Sequence, residues 1–220
     1  MVIVGLTGSI GMGKSRAAAM LREMGVPVYD ADAAVHALQA RGGEALPGIE
    51  AAFPGTVREG VLDRQALGAR VFGDKAALRR LEAIVHPLVH RKQRAFLRRA
   101  AGRRARLVVL DIPLLFEGLG ERRVDATLVV SAPAFLQWRR VMARPGMTAE
   151  KLRGILRQQV PDAIKRRRAT FVLATGLGIA PTRAALRRAI ADLVQRRGRF
   201  WPANPWREKF TARLARERRR

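Results

Sequence analysis

Gly8-Ser9-Ile10-Gly11-Met12-Gly13-Lys14-Ser15 fits the phosphate-binding loop pattern G-x-x-x-x-G-K-[ST], and its flanks fit as well. Val2-Ile3-Val4-Gly5-Leu6 reads as a buried strand, and the run Ala17-Ala18-Ala19-Met20-Leu21-Arg22-Glu23-Met24 reads as a helix ended by Gly25. A strand, a glycine-rich turn and a helix in that order aim backbone N–H groups and the positive end of a helix dipole at one point. In this reading Gly8, Gly11, Met12, Gly13, Lys14, Ser15 and the adjoining Arg16 hold ATP. Lys14 reaches the β- and γ-phosphates, and the Ser15 hydroxyl ligates Mg²⁺. The bland alternative is a glycine-rich turn ending in a surface lysine. It is disfavoured because strand, loop and helix are all in place.

A chain of 220 residues, 48% of them hydrophobic, suits one α/β domain with insertions and a real core. Cysteine is absent, so there is no disulfide framework and no thiolate metal site, which fits a cytoplasmic location. No apolar run reaches the roughly 18 residues a membrane helix needs. Residues 1–6 lack a basic leader, so no signal peptide is expected. The net charge of +25, mostly arginine, favours polyanions. It is read as a solvated basic surface that steers anionic substrates rather than as a dedicated nucleic-acid site. No set of His, Asp and Glu has structural-metal spacing, and no motif assigns an oligomeric state.

Further strands are expected at 27–29, 107–110, 126–130 and 170–173, and helices at 135–143, 148–159 and 182–196. Residues 31–100 are mostly helical in pattern, with breaks at Arg41-Gly42-Gly43, Pro54-Gly55 and Glu59-Gly60. Leu78, Leu81, Ile84, Val85 and Leu88 recur at helical spacing as a core face. Alternating strands and helices imply a parallel sheet covered on both faces, with ligands at the carboxyl ends of the strands. Gly8, Asp30, Asp32, Asp111 and Glu117 all fall at or just past those ends.

Asp30 and Asp32 stand two apart. If extended, both would point to one side, where a carboxylate could orient a hydroxyl and accept its proton. Asp32, which precedes Ala33-Ala34-Val35, could instead cap the helix that follows, and capping and catalysis could be divided between the two. Asp111 ends an apolar strand as a Mg²⁺-holding carboxylate would, or serves the turn before Pro113. Arg139, Arg140 and Arg144, then Gln159 and Lys165-Arg166-Arg167-Arg168, lie where a lid would close over ATP and neutralise the moving phosphoryl group. His86-Pro87 closes a helix in this reading, and His86 is either an acceptor contact or a core or capping residue. The tail from Arg197 interleaves Phe200, Trp201, Trp206 and Phe210 with arginines, a pattern that also suits base stacking.

Taken together, these segments resemble the dephospho-CoA kinases. The resemblance is carried by the loop, by Asp30-Ala31-Asp32 and Gly60-Val61-Leu62-Asp63-Arg64, and by Leu81-Glu82-Ala83-Ile84-Val85-His86-Pro87-Leu88. Asp111-Ile112-Pro113-Leu114-Leu115-Phe116-Glu117 and Ala143-Arg144-Pro145-Gly146-Met147 complete it. The His-Pro-Leu and Pro-Leu-Leu-Phe-Glu segments discriminate, since an Asp-x-Asp after the second strand is also similar to shikimate kinases. The resemblance implies an α/β P-loop kinase domain over 1–195, with a five-stranded parallel sheet flanked by helices. Its core would comprise 1–32, 105–135 and 169–195, with a helical acceptor-binding insertion at about 33–104 and a lid at about 136–168. A basic extension follows at 196–220. It implies ATP-dependent phosphorylation of the ribose 3′-hydroxyl of dephospho-CoA. Asp32 would be the catalytic aspartate, with Lys14 and Arg140 steadying the transferred phosphate. Arg144 would contact ATP, Ser15 and Asp111 would hold Mg²⁺, and His86, Leu115, Phe116 and Glu117 would line the acceptor pocket.

Three features depart from that pattern. Arg16 stands where a second hydroxyl residue is common, and Ala174-Thr175-Gly176 replaces a segment that usually carries Asp or Asn. The basic tail after residue 195 goes beyond the family core, and the resemblance assigns it no role. Rival readings are another small P-loop kinase, acting on a nucleoside monophosphate or a shikimate-like alcohol, and a nucleotide-gated nucleic-acid binder.

Overall fold

The computed structural model describes residues 1–202; Trp206, Phe210 and most of the basic extension lie outside the described residues. In chain order the strands are β1 (Val2–Thr7), β2 (Val28–Asp30), the short pair β3 (Val57–Arg58) and β4 (Val61–Leu62), β5 (Leu107–Asp111), β6 (Ala126–Ser131) and β7 (Phe171–Ala174). The helices are α1 (Lys14–Glu23), α2 (Ala31–Leu38), α3 (Leu46–Ala52), α4 (Arg64–Val71), α5 (Lys75–Gly102), α6 (Ala134–Met142), α7 (Ala149–Gln158), α8 (Asp162–Arg168) and α9 (Ile179–Leu193). A five-stranded sheet runs β2-β5-β1-β6-β7. The chain divides into two compact units, Met1–Val28 with everything from Arg103 onward, and Tyr29–Gly102.

In the first unit β1 lies between β5 and β6 and runs parallel to both. Val4 sits opposite Val109 on one side and Ala126 on the other. All six residues of β1 are buried, as a central strand covered on both faces requires. Val4, Leu6, Val109, Leu128 and Val130 pack with Ala17, Met20 and Leu21 of α1 and with Leu186 and Leu193 of α9. β1 therefore emerges at the carboxyl edge of the sheet where connections diverge to either side, the place where open α/β sheets bind ligands. The strands match the expected spans within one or two residues. The last helix starts three residues earlier than expected, because Pro181 fits a first helical turn, where its missing N–H has no partner to lose.

In the second unit Leu38, Leu46, Ile49, Phe53, Leu67 and Val85 form a separate core. Two sequence expectations are corrected here, and the break expected at Glu59-Gly60 takes the form of a turn. Leu78 is 44% exposed and drops out of the core face, while Ala77 is buried in its place. His86-Pro87 does not close a helix, because α5 continues for 28 residues with Pro87 inside it. The cost of one missing hydrogen bond is offset where the flanking turns pack, and Ala83, whose carbonyl loses its donor, is exposed. Glu59-Gly60 is the two-residue turn of the β3–β4 hairpin, with Arg58 opposite Val61. Both turn residues have positive φ, 50° and 74°, the geometry that matches strand twist in such loops.

Glu50 accepts from the amides of Gly55 and Val57, each at 2.7 Å, and these bonds hold its carboxyl below the ordinary glutamate range. Hydrogen bonds from Lys92 and Arg91 do the same for Glu44. A depressed carboxylate adds stability that is complete above the unfolded-state pKa and lost as pH falls through the folded one. The second unit should therefore lose stability as pH drops through the carboxylate range. Glu50→Gln should lower the urea midpoint at pH 7 and shrink the difference between pH 7 and about pH 4. An acid dependence as steep as that of the parent chain would contradict this assignment.

Candidate active site

The loop that follows β1 is shaped by close approach and by handedness. A Cβ on Gly8 would lie 2.8 Å from the Val130 carbonyl oxygen, so only glycine lets the loop leave the sheet there. Gly13 has φ 89° and stands immediately before α1, a conformation costly for any other residue.

Four side chains from outside the loop then fix its peptides. Gln137 Nε2 donates to the Ile10 carbonyl at 2.8 Å. Arg140 Nη1 donates to the Gly11 carbonyl at 3.4 Å, and Thr175 Oγ1 donates to the Met12 carbonyl at 2.7 Å. The Ile10 amide donates to Gln159 Oε1 at 3.1 Å. Arg140 also holds Thr175 itself, through Oγ1 at 3.2 Å and the carbonyl at 2.9 Å. Three consecutive carbonyls are thus engaged from outside the loop. The amides of Gly11, Gly13, Lys14 and Ser15 meet no acceptor among the described residues. Open amides at a helix start, with neighbouring carbonyls committed elsewhere, make an anion nest.

Lys14 Nζ pairs with Asp111 Oδ1 at 2.6 Å, with side-chain exposures of 19% and 4%. Asp111 is the last residue of β5 and buried, so a carboxylate and the loop lysine share the floor of the nest. Ser15 and Arg16 are exposed in the first turn of α1. Thr7 Oγ1 donates to the Pro113 carbonyl at 2.8 Å, tying the end of β1 to the segment that carries Leu115, Phe116 and Glu117.

That segment is turned inward. Leu115 and Phe116 are 1% and 2% exposed. Glu117 Oε1 accepts from the Val160 amide at 2.8 Å and pairs with Lys165 at 2.9 Å. Lys165, read from sequence as one cation of a lid, is wholly buried. Ser131 Oγ donates to Asp162 Oδ2 at 2.7 Å, and Arg168 pairs with Glu121 and lies over the Phe116 ring. The root of α8 is therefore riveted to the ends of β5 and β6. Arg144 is exposed beyond α6.

In the second unit the two aspartates do not lie together on an extended strand. β2 ends at Asp30 and α2 begins at Ala31, so the extended same-side premise fails. Asp30 caps α2, accepting from the Ala33 amide at 2.9 Å. Asp32 is exposed in the first helical turn with no side-chain partner among the described residues. His86 is exposed on α5. Gln137 and Thr175 were not singled out as site residues in the sequence, since neither belongs to a motif. The departure at Ala174-Thr175-Gly176 was the signal available for Thr175.

A family profile for dephospho-CoA kinase matches residues 2–180. The chain belongs to the dephospho-CoA kinase family. The dephospho-CoA kinase of Paramagnetospirillum magneticum is 68% identical over 166 residues, 76% of this chain and 78% of that protein. The dephospho-CoA kinase of Mesorhizobium japonicum is 57% identical over 198 residues, 90% of this chain and all of that one. Among solved structures, TT1252 from Thermus thermophilus superposes with a TM-score of 0.77 at 42% identity, covering 87% of this chain and 96% of its own. A Bacteroides thetaiotaomicron shikimate kinase shares the fold, with a TM-score of 0.50 and 15% identity over 89% of this chain and 99% of that one. The dephospho-CoA kinase family thus accounts for the α/β P-loop kinase architecture expected from the sequence.

Thr175→Val keeps the shape and removes the hydroxyl. It leaves the Met12 carbonyl without its donor, which should cost about 1–3 kcal/mol in denaturant unfolding, and it should weaken nucleotide binding. Unchanged stability and unchanged affinity together would remove Thr175 from the bracket.

Proposed function

We propose that this chain transfers the γ-phosphoryl group of ATP to the ribose 3′-hydroxyl of dephospho-CoA, giving coenzyme A and ADP. Family membership over residues 2–180, joined to an anion nest with its amides open, carries this reading. It is a cytoplasmic enzyme, and among the described residues no helix is long and apolar enough to cross a membrane. Its charge of +25 steers two polyanionic substrates rather than a nucleic acid.

The open amides of Gly11, Gly13, Lys14 and Ser15 receive the phosphate chain, with Gly8, Met12 and Arg16 completing the loop around it. Lys14 moves from Asp111 onto the β- and γ-phosphates. Ser15 and Asp111 offer the hard oxygen donors that suit Mg²⁺, which keeps water and phosphate oxygens as its other ligands. No cluster of three or more His, Cys, Asp or Glu that could hold a metal occurs among the described residues, so these two are the donors this chain would bring. When bound, Mg²⁺ neutralises charge between the β- and γ-phosphates.

Asp32 orients the acceptor hydroxyl and takes its proton. As that proton leaves, the 3′-oxygen forms a bond to the γ-phosphorus, and the bond from γ-phosphorus to the β–γ bridging oxygen breaks, releasing ADP. The capping role of Asp30 supports Asp32 for this task. Arg140 steadies the phosphoryl group through the loop it braces, and Arg144 contacts ATP from the lid. His86 meets the acceptor. Leu115, Phe116 and Glu117 are the further acceptor residues of this reading, and Glu117 also fixes the chain at Val160. Because no covalent enzyme intermediate forms, rate comes from alignment and electrostatics.

Two measurements test this. The purified protein with Mg-ATP should phosphorylate dephospho-CoA, seen as coenzyme A by mass, and should leave shikimate and nucleoside monophosphates unchanged; turnover on those acceptors instead would refute the substrate. Asp32→Asn should lower kcat by about two orders of magnitude with ATP affinity kept. An unchanged kcat would remove Asp32 from the role.

A further inference from the structure

Ile10 is held on both sides by glutamines, through the two adjacent peptide groups that flank its Cα. Its carbonyl accepts from Gln137 at 2.8 Å, and its amide donates to Gln159 at 3.1 Å. Gln137 is buried on α6, and Gln159 is the residue that ends α7. The segment read as the lid spans about 136–168; Gln137 stands at its start and Gln159 within it, and the two are the roots of its α7 arm. The second root is anchored independently, since the Val160 amide binds Glu117 and, further on, Lys165 and Asp162 are tied to Glu117 and Ser131. Between the roots, α7 buries a single side chain, Leu152, and carries Leu156 at 36% exposed. A weakly packed helix between two fixed roots is the part of such a segment free to move. Both roots end on one residue of the phosphate loop, Ile10.

We propose that Gln137 and Gln159 are positioning residues that couple lid posture to the grip on nucleotide, with Gln159 as the latch. The inference rests on the kinase reading and extends it. The loop tip keeps its shape only while Gln159 accepts the Ile10 amide, and nucleotide seated in the nest steadies that tip and, through Gln159, the end of α7. Movement of α7 that turns the Gln159 side chain away breaks this bond and frees the Ile10 amide, which loosens the loop.

The test replaces Gln159 with Met, which keeps length and removes the acceptor. In the nucleotide-free protein, exchange of the Ile10 amide should quicken about tenfold or more. Affinity for a non-hydrolysable ATP analogue should weaken about five- to tenfold, the weight of one hydrogen bond. The KM for dephospho-CoA and the thermal midpoint should stay near those of the parent. The analogue should slow tryptic cleavage after Lys151, Arg153 and Arg157 in the parent and no longer do so in Gln159→Met. Gln159→Glu, which retains an acceptor, should restore Ile10 protection in the nucleotide-free state. Unchanged Ile10 exchange with unchanged affinity would overturn the proposal. So would a lowered thermal midpoint with cleavage protection intact, which marks a purely structural bond. If the parent made no coenzyme A yet the exchange and cleavage results held, the kinase reading would fail and the coupling would stand.

Discussion

Three outward-facing carbonyls govern the active site. Peptide groups in a tight loop have two polar ends, and fixing one end fixes the direction of the other. Gln137, Arg140 and Thr175 take the carbonyls of Ile10, Gly11 and Met12. The Met12 amide turns back to Ser9 at 3.1 Å, and the amides of Gly11 and Gly13 are left open beside those of Lys14 and Ser15 at the head of α1. The glycines permit this loop shape, but they do not select it. Selection comes from donors on α6 and just beyond β7, all placed by the same parallel sheet. An anion nest held in this way needs little reorganisation when phosphate arrives, which is the condition under which electrostatic stabilisation acts most strongly.

The same economy applies to charge. Lys14 and Asp111 sit in contact at 2.6 Å, so neither enters the buried floor alone, where an unpaired charge is costly. Lys165 is buried against Glu117, fixing α8 rather than facing a ligand. Arginine is abundant along this chain, yet Arg140 is distinguished by what it holds: the Gly11 carbonyl of the loop, and the hydroxyl and carbonyl of Thr175. A guanidinium can brace several acceptors from one plane, and here that geometry supports the loop.

The strands and the phosphate loop were legible in the sequence because their signals are local. Val2–Thr7 is a continuous apolar run, and Gly8 to Ser15 carries its own spacing. The roles of Asp30 and Asp32 were less legible, since a cap depends on where the helix begins, and α2 begins one residue after β2 ends. Pro87 misled because its local effect is to interrupt a helix, while α5 continues through it. Leu78 fits the helical period yet lies where no partner covers it. Gln137 and Thr175 were invisible as site residues for a further reason. Their partners are backbone atoms 127 and 163 residues away in sequence, and a backbone carbonyl leaves no mark on the residue that bears it.

The most direct test reads the loop amides themselves. Nitrogen-15 NMR of the protein titrated with Mg-ATP should shift the amides of Gly11, Gly13, Lys14 and Ser15 and show through-bond coupling from them to phosphate phosphorus, with the Ile10 amide still bonded to Gln159. Coupling at Ile10, or an absence of coupling at Gly13 to Ser15, would mean that the carbonyl bracket does not set the face presented to the nucleotide.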